Sequence, residues 1–373
     1  MHALQTSLSG NDDKYLVPKT EGIKYAGSKL KILPYIINEI AEIKGVKTIL
    51  DGFSGSTRIS QVLAQNGYKI ISNDIAEWSN CFANCYLKAN KSNGFYQKII
   101  HHLNSLKGEI GWFSENYGAD IDSELKRPFQ LKNTMKLDAI RREIDMLDLE
   151  QNNKCVILTS LILALDSVDS TLGHYASYLK NWSPRSYNDL YLKLPNLFAV
   201  APEDHIVLKQ NIFDVINHYE VDLAYFDPPY GSNNEKMPAS RVRYNSYYHI
   251  WKTVILNDKP ELFGRANRRE DSRDTAGVSP FEEFKKDKNG NFIAMNAIKE
   301  MIQKTKAKYI MLSYSSGGRA TMEQLSDIMN SCGTLIKTIS INHKKNVMAN
   351  MCWTNDWSVK DDSNQEYIFI LKK

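Results

Sequence analysis

The apolar run Val221 to Phe226 ends abruptly in Asp227-Pro228-Pro229-Tyr230. Such a run reads as a strand, and two successive prolines stop it, because proline cannot donate to a sheet ladder and fixes its own backbone angle. The flanking Asp227 and Tyr230 are thereby held at the carboxyl end of the strand. A carboxylate, a proline carbonyl with no competing N–H beside it and an aromatic ring can grip a flat, amine-bearing heterocycle by edge and by face. Pro-Pro alone is also what an ordinary strand-ending turn contains. The whole tetrapeptide after so apolar a run points instead to a site.

Other segments carry acids at strand ends. Lys47-Thr48-Ile49-Leu50 predicts a short strand running into Asp51-Gly52-Phe53-Ser54-Gly55-Ser56-Thr57 and then a helix through Leu63. Strand, glycine turn and helix open a doubly wound nucleotide-binding sheet, in which glycine lets backbone approach a ligand closely. The dinucleotide pattern G-x-G-x-x-G is absent from this turn, and an acid precedes the first glycine, which suits a ligand carrying an ammonium group. Lys69-Ile70-Ile71-Ser72-Asn73-Asp74 is a second strand ending in an acid, roughly 20 residues on, where such folds hold a ribose by its hydroxyls. Upstream, Tyr25-Ala26-Gly27-Ser28-Lys29 precedes a helix predicted from Leu30 to Ile43, with Ile32, Leu33, Ile36, Ile37 and Ile40 at helical spacing. Gly27-Ser28 leaves N–H groups for an anion, with Lys29 adding positive charge, and is equally compatible with a plain helix cap.

In that order, YAGSK, DGFSGST, SND and DPPY resemble the Dam-like class of adenine-specific DNA methyltransferases, which bind S-adenosylmethionine. In amino-methylating nucleic-acid methyltransferases the last motif is [DNS]-P-P-[YFW], with Asp going with adenine. The resemblance implies an α/β fold: a doubly wound, Rossmann-like methyltransferase sheet, mostly parallel, ending in an antiparallel hairpin and carrying a helical insert. It makes Asp227, Pro228, Pro229 and Tyr230 the catalytic motif. Tyr25, Ala26, Gly27 and Lys29 fall in the amino-terminal cofactor motif; Asp51, Phe53 and Gly55 surround the methionine moiety, and Asp74 holds the ribose. The third glycine usual in that loop is replaced by Thr57. Asn211 stands where the class has an acid facing the cofactor's adenine, and its carbonyl oxygen can still accept. Asp227 also faces the cofactor.

Between Trp78 and Asp204 helices are predicted over Asn80 to Lys91, Tyr96 to Leu106, Leu131 to Leu149 and Lys154 to Ser170, the last apolar nearly all round and therefore buried. Glu109 to Phe129 reads as irregular. Tyr175 to Tyr191 either presents rings and amides to nucleic acid or packs its aromatics beneath a capped surface. The class keeps its target-recognition region in this interval, so the expected organisation is a catalytic domain from 1–78 and 205–373 around a recognition insert at 79–204. Strand character resumes at His205 to Leu208. Beyond the DPPY motif, Gly231 to Asn291 has no regular period; a segment that long is functional or disordered. Its basic pairs, Arg241 with Arg243 and Arg268 with Arg269, are interleaved with Tyr244, Tyr247, Tyr248 and Trp251, which suits phosphate contacts plus stacking or a solvated loop. Lys308 to Tyr314, Thr334 to His343 and Glu366 to Leu371 read as the closing strands.

Composition sets outer bounds. A chain of 373 residues can bury a substantial core. Its formal net charge of +4 permits a polyanionic partner without requiring one. No run approaches the ~18 apolar residues of a membrane span, and Met1 to Thr20 is too polar for a signal core. Five cysteines without CxxC spacing suit a reduced, cytoplasmic chain. Cys81 and Cys85 would share a helix face, yet zinc needs two more ligands nearby, so no metal is expected. The expected partners are double-stranded DNA and, in a restriction-modification setting, a cognate restriction endonuclease. An RNA adenine methyltransferase, or a non-catalytic DNA-binding module with a degenerate cofactor fold, are the alternatives. Intact Asp51, Asp74 and Asp227 weigh against the second.

Overall fold

The computed structural model describes residues 17–231, 243–273, 279–283, 285–344 and 363–373. Its centre is a sheet with seven strands among these residues: β1 (Thr48–Asp51), β2 (Lys69–Asn73), β3 (Ile206–Leu208), β4 (Glu220–Phe226), β5 (Lys306–Ser315), β6 (Thr334–Lys344) and β7 (Ser363–Lys372), in the order β6-β7-β5-β4-β1-β2-β3. The strands β3, β2, β1, β4 and β5 are parallel neighbours, whereas β7 runs antiparallel to both β5 and β6. The doubly wound sheet with a terminal antiparallel hairpin is therefore present.

Burial on both faces explains why the strands read as continuous apolar runs rather than alternating ones. Along β4, Leu223 and Tyr225 enter one core while Ala224 and Phe226 enter the other. Ile49 and Leu50 of β1, Met311 and Leu312 of β5, and Ile368 and Phe369 of β7 divide in the same way. Helices Leu33–Glu42 and Arg58–Gln65 cover the first face; Ile212–His218, Ile293–Lys304 and Met322–Cys332 cover the second. Each parallel crossover returns its strand to the same end of the sheet, so the loops after β1, β2 and β4 converge where the order reverses beside β1.

A helical lobe stands against this sheet. Glu77–Lys88, Asn93–Ser105, Trp112–Tyr117, Leu131–Met146 and Gln151–Val168 enclose a core of Phe82, Tyr96, Leu137, Leu161 and Leu165. The predicted helices are all present within a few residues, and Gln151–Val168 is buried nearly all round, as its composition requires. Two corrections follow. Glu109 to Phe129 contains the helix Trp112–Tyr117, and Gly118–Ala119 pairs with Phe129–Gln130. The segment after the DPPY motif, read as lacking a period, forms helices Tyr244–Tyr247 and His249–Leu256, whose Tyr248, Ile250, Trp251 and Val254 are fully buried in the lobe core. The period escaped notice because the helices are short and apolar on most sides. Residues 79–204 thus do not build the lobe alone.

Candidate active site

β1 delivers Asp51 and β4 delivers Asp227 to adjacent positions, since Asp51 pairs in register with Tyr225. Asp51 is fully buried; its Oδ2 accepts from Ser60 Oγ at 2.6 Å, while Oδ1 has no hydrogen-bond partner. Burial pushes its carboxyl up to about 7 despite the Ser60 bond. The loop that follows is stitched to both neighbouring strands: the Gly52 N–H donates to the Tyr225 carbonyl at 3.0 Å and the Ser54 N–H to the Asn73 carbonyl at 2.9 Å. A side chain at Gly52 would begin 2.6 Å from the Phe226 ring, so close approach demands glycine there. Gly55 has φ +49°, with Tyr25 against the position a side chain would take.

Thr57, where the class has its third glycine, occupies that left-handed conformation too, at φ 61° and ψ 10°. The conformation is unusual for a β-branched residue. It is held by Gln61 Nε2 donating to Oγ1 at 3.1 Å and by Oγ1 donating to the Ser56 carbonyl at 2.8 Å. Asp74 accepts from the Gly55 N–H at 2.7 Å and from the Ala76 N–H at 2.9 Å, which locks the first loop against the second. Burial raises its pKa, and the backbone donors oppose the rise.

At the end of β4, Asp227 Oδ1 lies 2.9 Å from the buried Lys29 ammonium. Burial is the main push that raises Asp227 to about 6, with Lys29 opposing and Glu366 of β7 adding. Lys29 also hydrogen-bonds Glu366. Burial alone would lower the lysine's pKa, but Asp227, Tyr230 and Glu366 beside it raise it. The half-buried Tyr230 ring sits 5.5 Å from the Lys29 ammonium and 5.3 Å from Tyr314.

The amino-terminal motif is clamped from the lobe side. Tyr25 stacks on Tyr248 at 4.8 Å and on Tyr244 at 5.3 Å. Flanking these rings, the Ala26 N–H donates to Tyr248 Oη at 2.7 Å and Tyr244 Oη donates to the Ala26 carbonyl at 3.2 Å. Tyr25, Gly27, Lys29, Phe53, Gly55, Asp74, Asn211 and Asp227 line one cavity of about 550 Å³. Pro229 lines it too, whereas Ala26, Asp51, Pro228 and Tyr230 sit outside its lining. Asn211 caps the helix Ile212–His218, its Oδ1 accepting from the Phe213 N–H at 3.0 Å. The oxygen expected to face an adenine is engaged there, leaving the amide NH₂ as the side chain's donor.

The basic residues divide. Arg243 lines the cavity, and Arg241 lies outside the described residues. Arg269 is buried and grips Asp258 through two hydrogen bonds of 2.6 Å and Asp271 at 3.0 Å. The expectation that Arg269 meets phosphate is corrected: its guanidinium is committed within the protein. Arg268 turns back to the Ser272 carbonyl and lies 4.9 Å from the Phe263 ring. Tyr248 and Trp251, read as stacking residues, are core. In Tyr175 to Tyr191, Tyr175 is core while Tyr187 and Tyr191 are exposed. Sequence reasoning missed Glu366 and the clamping by Tyr244 and Tyr248. The one signal for Glu366 is an acid opening the apolar run Tyr367 to Leu371.

A parallel-centred sheet of this order, with a glycine loop after β1 and an acid-Pro-Pro-aromatic turn after β4, defines an amino-methyltransferase. The comparison with known families goes a step further. The model of the D12 class N6 adenine-specific DNA methyltransferases matches residues 25–316, and the chain belongs to that family. Among curated relatives, it is 25% identical to the Type II methyltransferase M.NlaIII of Neisseria lactamica over 94% of this chain and 99% of that protein. It is 25% identical to the modification methylase StsI of Streptococcus sanguinis over 82% of this chain, and 26% identical to the Type II methyltransferase M.FokI of Planomicrobium okeanokoites over 83%. The matched region covers 46% and 47% of those two proteins, so the chain spans about half their length.

Proposed function

We propose that this protein transfers a methyl group from S-adenosylmethionine to the 6-amino nitrogen of an adenine flipped out of a specific duplex DNA sequence. The observation that carries the reading is Asp227, held by a proline-stopped strand on the wall of a cavity that the glycine loop and Asp74 also line. The residues suit that cofactor. Gly55 permits backbone contact, and acids at the strand ends favour a cation. Asp74 keeps lone pairs for ribose hydroxyls, because an ionised carboxylate accepts at about four sites. Asn211 donates through its NH₂ to a ring nitrogen of the adenine moiety, rather than accepting from the exocyclic amine. When bound, the cofactor supplies a methyl group on a positively charged sulfur.

The target amine is a poor nucleophile because its lone pair is delocalised into the ring. Asp227 and the Pro228 carbonyl accept its two N–H bonds, which favours a tetrahedral nitrogen with the lone pair free. Rate enhancement then comes from positioning and from negative charge beside the migrating positive charge. With its carboxyl near 6, Asp227 is ionised at neutral pH yet basic enough to take the proton released from the methylated nitrogen. Tyr230 stacks on the extruded base. The helical lobe, with residues 243–273 docked on it, reads the target, and Arg243 meets phosphate. A modification role beside a cognate restriction endonuclease accords with the relatives' names. No helix among the described residues is long and apolar enough to cross a membrane, and the proposed setting is the cytoplasm.

Asp227→Ala is the test. Methyl transfer to duplex DNA is expected to fall about 10³-fold or more, while DNA affinity stays within a few-fold, since no phosphate contact is lost. The digest of methylated DNA yields 6-methylaminopurine. Methylcytosine there, or activity surviving the substitution, overturns the reading.

A further inference from the structure

Three largely buried charges meet at the cavity wall, Lys29 and Asp227 lining it and Glu366 behind them. Lys29 approaches from the amino-terminal motif, Asp227 from the end of β4 and Glu366 from the start of β7, with side-chain exposures of 8%, 17% and 9%. The lysine stands between two carboxylates and treats them differently. Its ammonium donates a hydrogen bond to Glu366 Oε1, which Ser313 Oγ of β5 also binds at 2.9 Å. Toward Asp227 Oδ1 it stands at 2.9 Å as an ion pair of poorer hydrogen-bond angle. Glu366, anchored by Ser313 on the neighbouring strand, shares the same ammonium.

We propose that Glu366 is a positioning residue for methyl transfer: it shares the Lys29 ammonium and so leaves the Asp227 carboxylate a stronger acceptor for the target amine. The inference rests on the reading that Asp227 binds that amine. Without Glu366, Lys29, already 2.9 Å from Asp227 Oδ1, would turn its charge-assisted donors wholly onto Asp227 and compete with the substrate for the same oxygens. With it, the cluster holds two carboxylates against one ammonium, a balance that an incoming cationic cofactor makes even.

The groups facing Asp227 set the pH consequence. They are Lys29, Glu366, Asp51 at the end of β1, and the rings of Tyr25, Tyr230 and Tyr244, with Tyr225 on its own strand. Glu366 raises the Asp227 pKa and Lys29 lowers it. Since the ionised Asp227 is the active form, removing the Glu366 charge moves the acid limb of the rate profile to lower pH, and removing the Lys29 charge moves it higher.

The test is single-turnover methyl transfer on duplex DNA across pH 5 to 9, with the full chain and the variants Glu366→Gln, Lys29→Gln and Asp227→Asn. Glu366→Gln is expected to lower the acid limb by about one pH unit, the lower end of what one nearby charge does, and to cut the plateau rate about tenfold, with S-adenosylmethionine affinity within a few-fold of wild type. Lys29→Gln is expected to move the limb the other way. A merely structural role would lower both plateaus and move neither limb. If Glu366→Gln does not fold, Glu366→Met replaces it, because it too removes the charge at nearly the same side-chain length. An acid limb unmoved in a folded Glu366 variant overturns the proposal. Activity retained by Asp227→Asn instead removes the reading on which it rests, whatever Glu366 does.

Discussion

The strand ends of the sheet and the helical lobe treat buried charge in opposite ways. At the strand ends, Asp51 keeps one oxygen without a hydrogen-bond partner and is pushed up to about 7, and Asp227, even with the Lys29 ammonium 2.9 Å away, is pushed up to about 6. On the lobe, the buried Arg141 donates to the Val254 carbonyl at 2.6 Å and the Ile255 carbonyl at 3.1 Å and pairs at 2.8 Å with the exposed Asp145, whose carboxyl Lys154, Asn257 and Arg141 pull down to about 2. Arg269 is likewise held by Asp258 and Asp271. A buried charge whose partners are all protein is architecture. One that burial keeps raised on a cavity wall despite its partner, as Asp227 is, can still take a ligand.

The largest expected effect on stability lies on the paired side. Arg269→Ala takes the Arg269 partner from Asp258 and leaves Asp271 with Lys252 at 2.8 Å. Breaking a fully buried pair costs ~3–5 kcal/mol, and the partial exposure of both aspartates, 36% and 47%, brings the expectation to about 2 kcal/mol. Urea unfolding measures it, and the salt dependence of DNA binding should not change. A slope lowered by the ~0.9 of one phosphate contact, with stability intact, would return Arg269 to the DNA surface and break the contrast.

Tyr230 tests the cavity side through its ring. Stacking on an extruded base is worth ~1–3 kcal/mol by alanine substitution, or about ten- to a hundredfold in turnover. Tyr230→Phe and Tyr230→Trp should keep most activity and Tyr230→Ala little. Equal losses in the Phe and Ala variants would assign the role to the hydroxyl.

What could be read without coordinates follows the same line. The sheet was legible because a strand buried on both faces writes its apolar run directly into the chain, and the strand-end acids were legible because each follows such a run. Lys29 reads as a cofactor residue, although its partners are Asp227 and Glu366, residues 198 and 337 positions away in a pairing only the sheet creates. Arg268 and Arg269 looked like a phosphate-binding pair because a guanidinium's partner is invisible in sequence; the aspartates that hold Arg269 are themselves ordinary loop residues. Tyr248 and Trp251 looked like stacking rings for the same reason: aromatics in an aperiodic stretch read as exposed until their neighbours are known.

Asp51→Asn sharpens the contrast through pH. The folded carboxyl, near 7, lies above its ordinary value of 3.8, so folding takes up a proton between these values. Stability from this group is fully present below about 4 and is lost as pH rises through about 7. Asparagine cannot ionise. The variant should therefore melt above wild type at pH 8, by roughly 2 °C or more, with the difference shrinking toward pH 5 while activity falls. A melting difference independent of pH would mean that Asp51 has its charge compensated after all, like Asp145.

The smallest effect concerns Thr57, where the cavity side stores strain in backbone rather than in charge. An L-residue in the left-handed region pays ~1–2 kcal/mol, and Thr57 sits there at φ 61°. Glycine would remove that cost. It would also lose the Gln61 and Ser56 hydrogen bonds of Oγ1, ~0.5–1.5 kcal/mol each, and it loses more freedom on folding than threonine does. These terms nearly cancel, so Thr57→Gly should stay within about 1 kcal/mol of wild type. Alanine keeps the strain and also loses the hydrogen bonds, so Thr57→Ala should be the less stable of the two. Denaturant midpoints for both variants decide it. Because the loop backbone already has the shape a glycine would give it, Thr57→Gly should bind S-adenosylmethionine within a few-fold of wild type. An alanine variant more stable than the glycine one would show that the residue does not occupy the left-handed region, and a large gain in cofactor affinity from glycine would show that threonine distorts the loop instead of reproducing its turn.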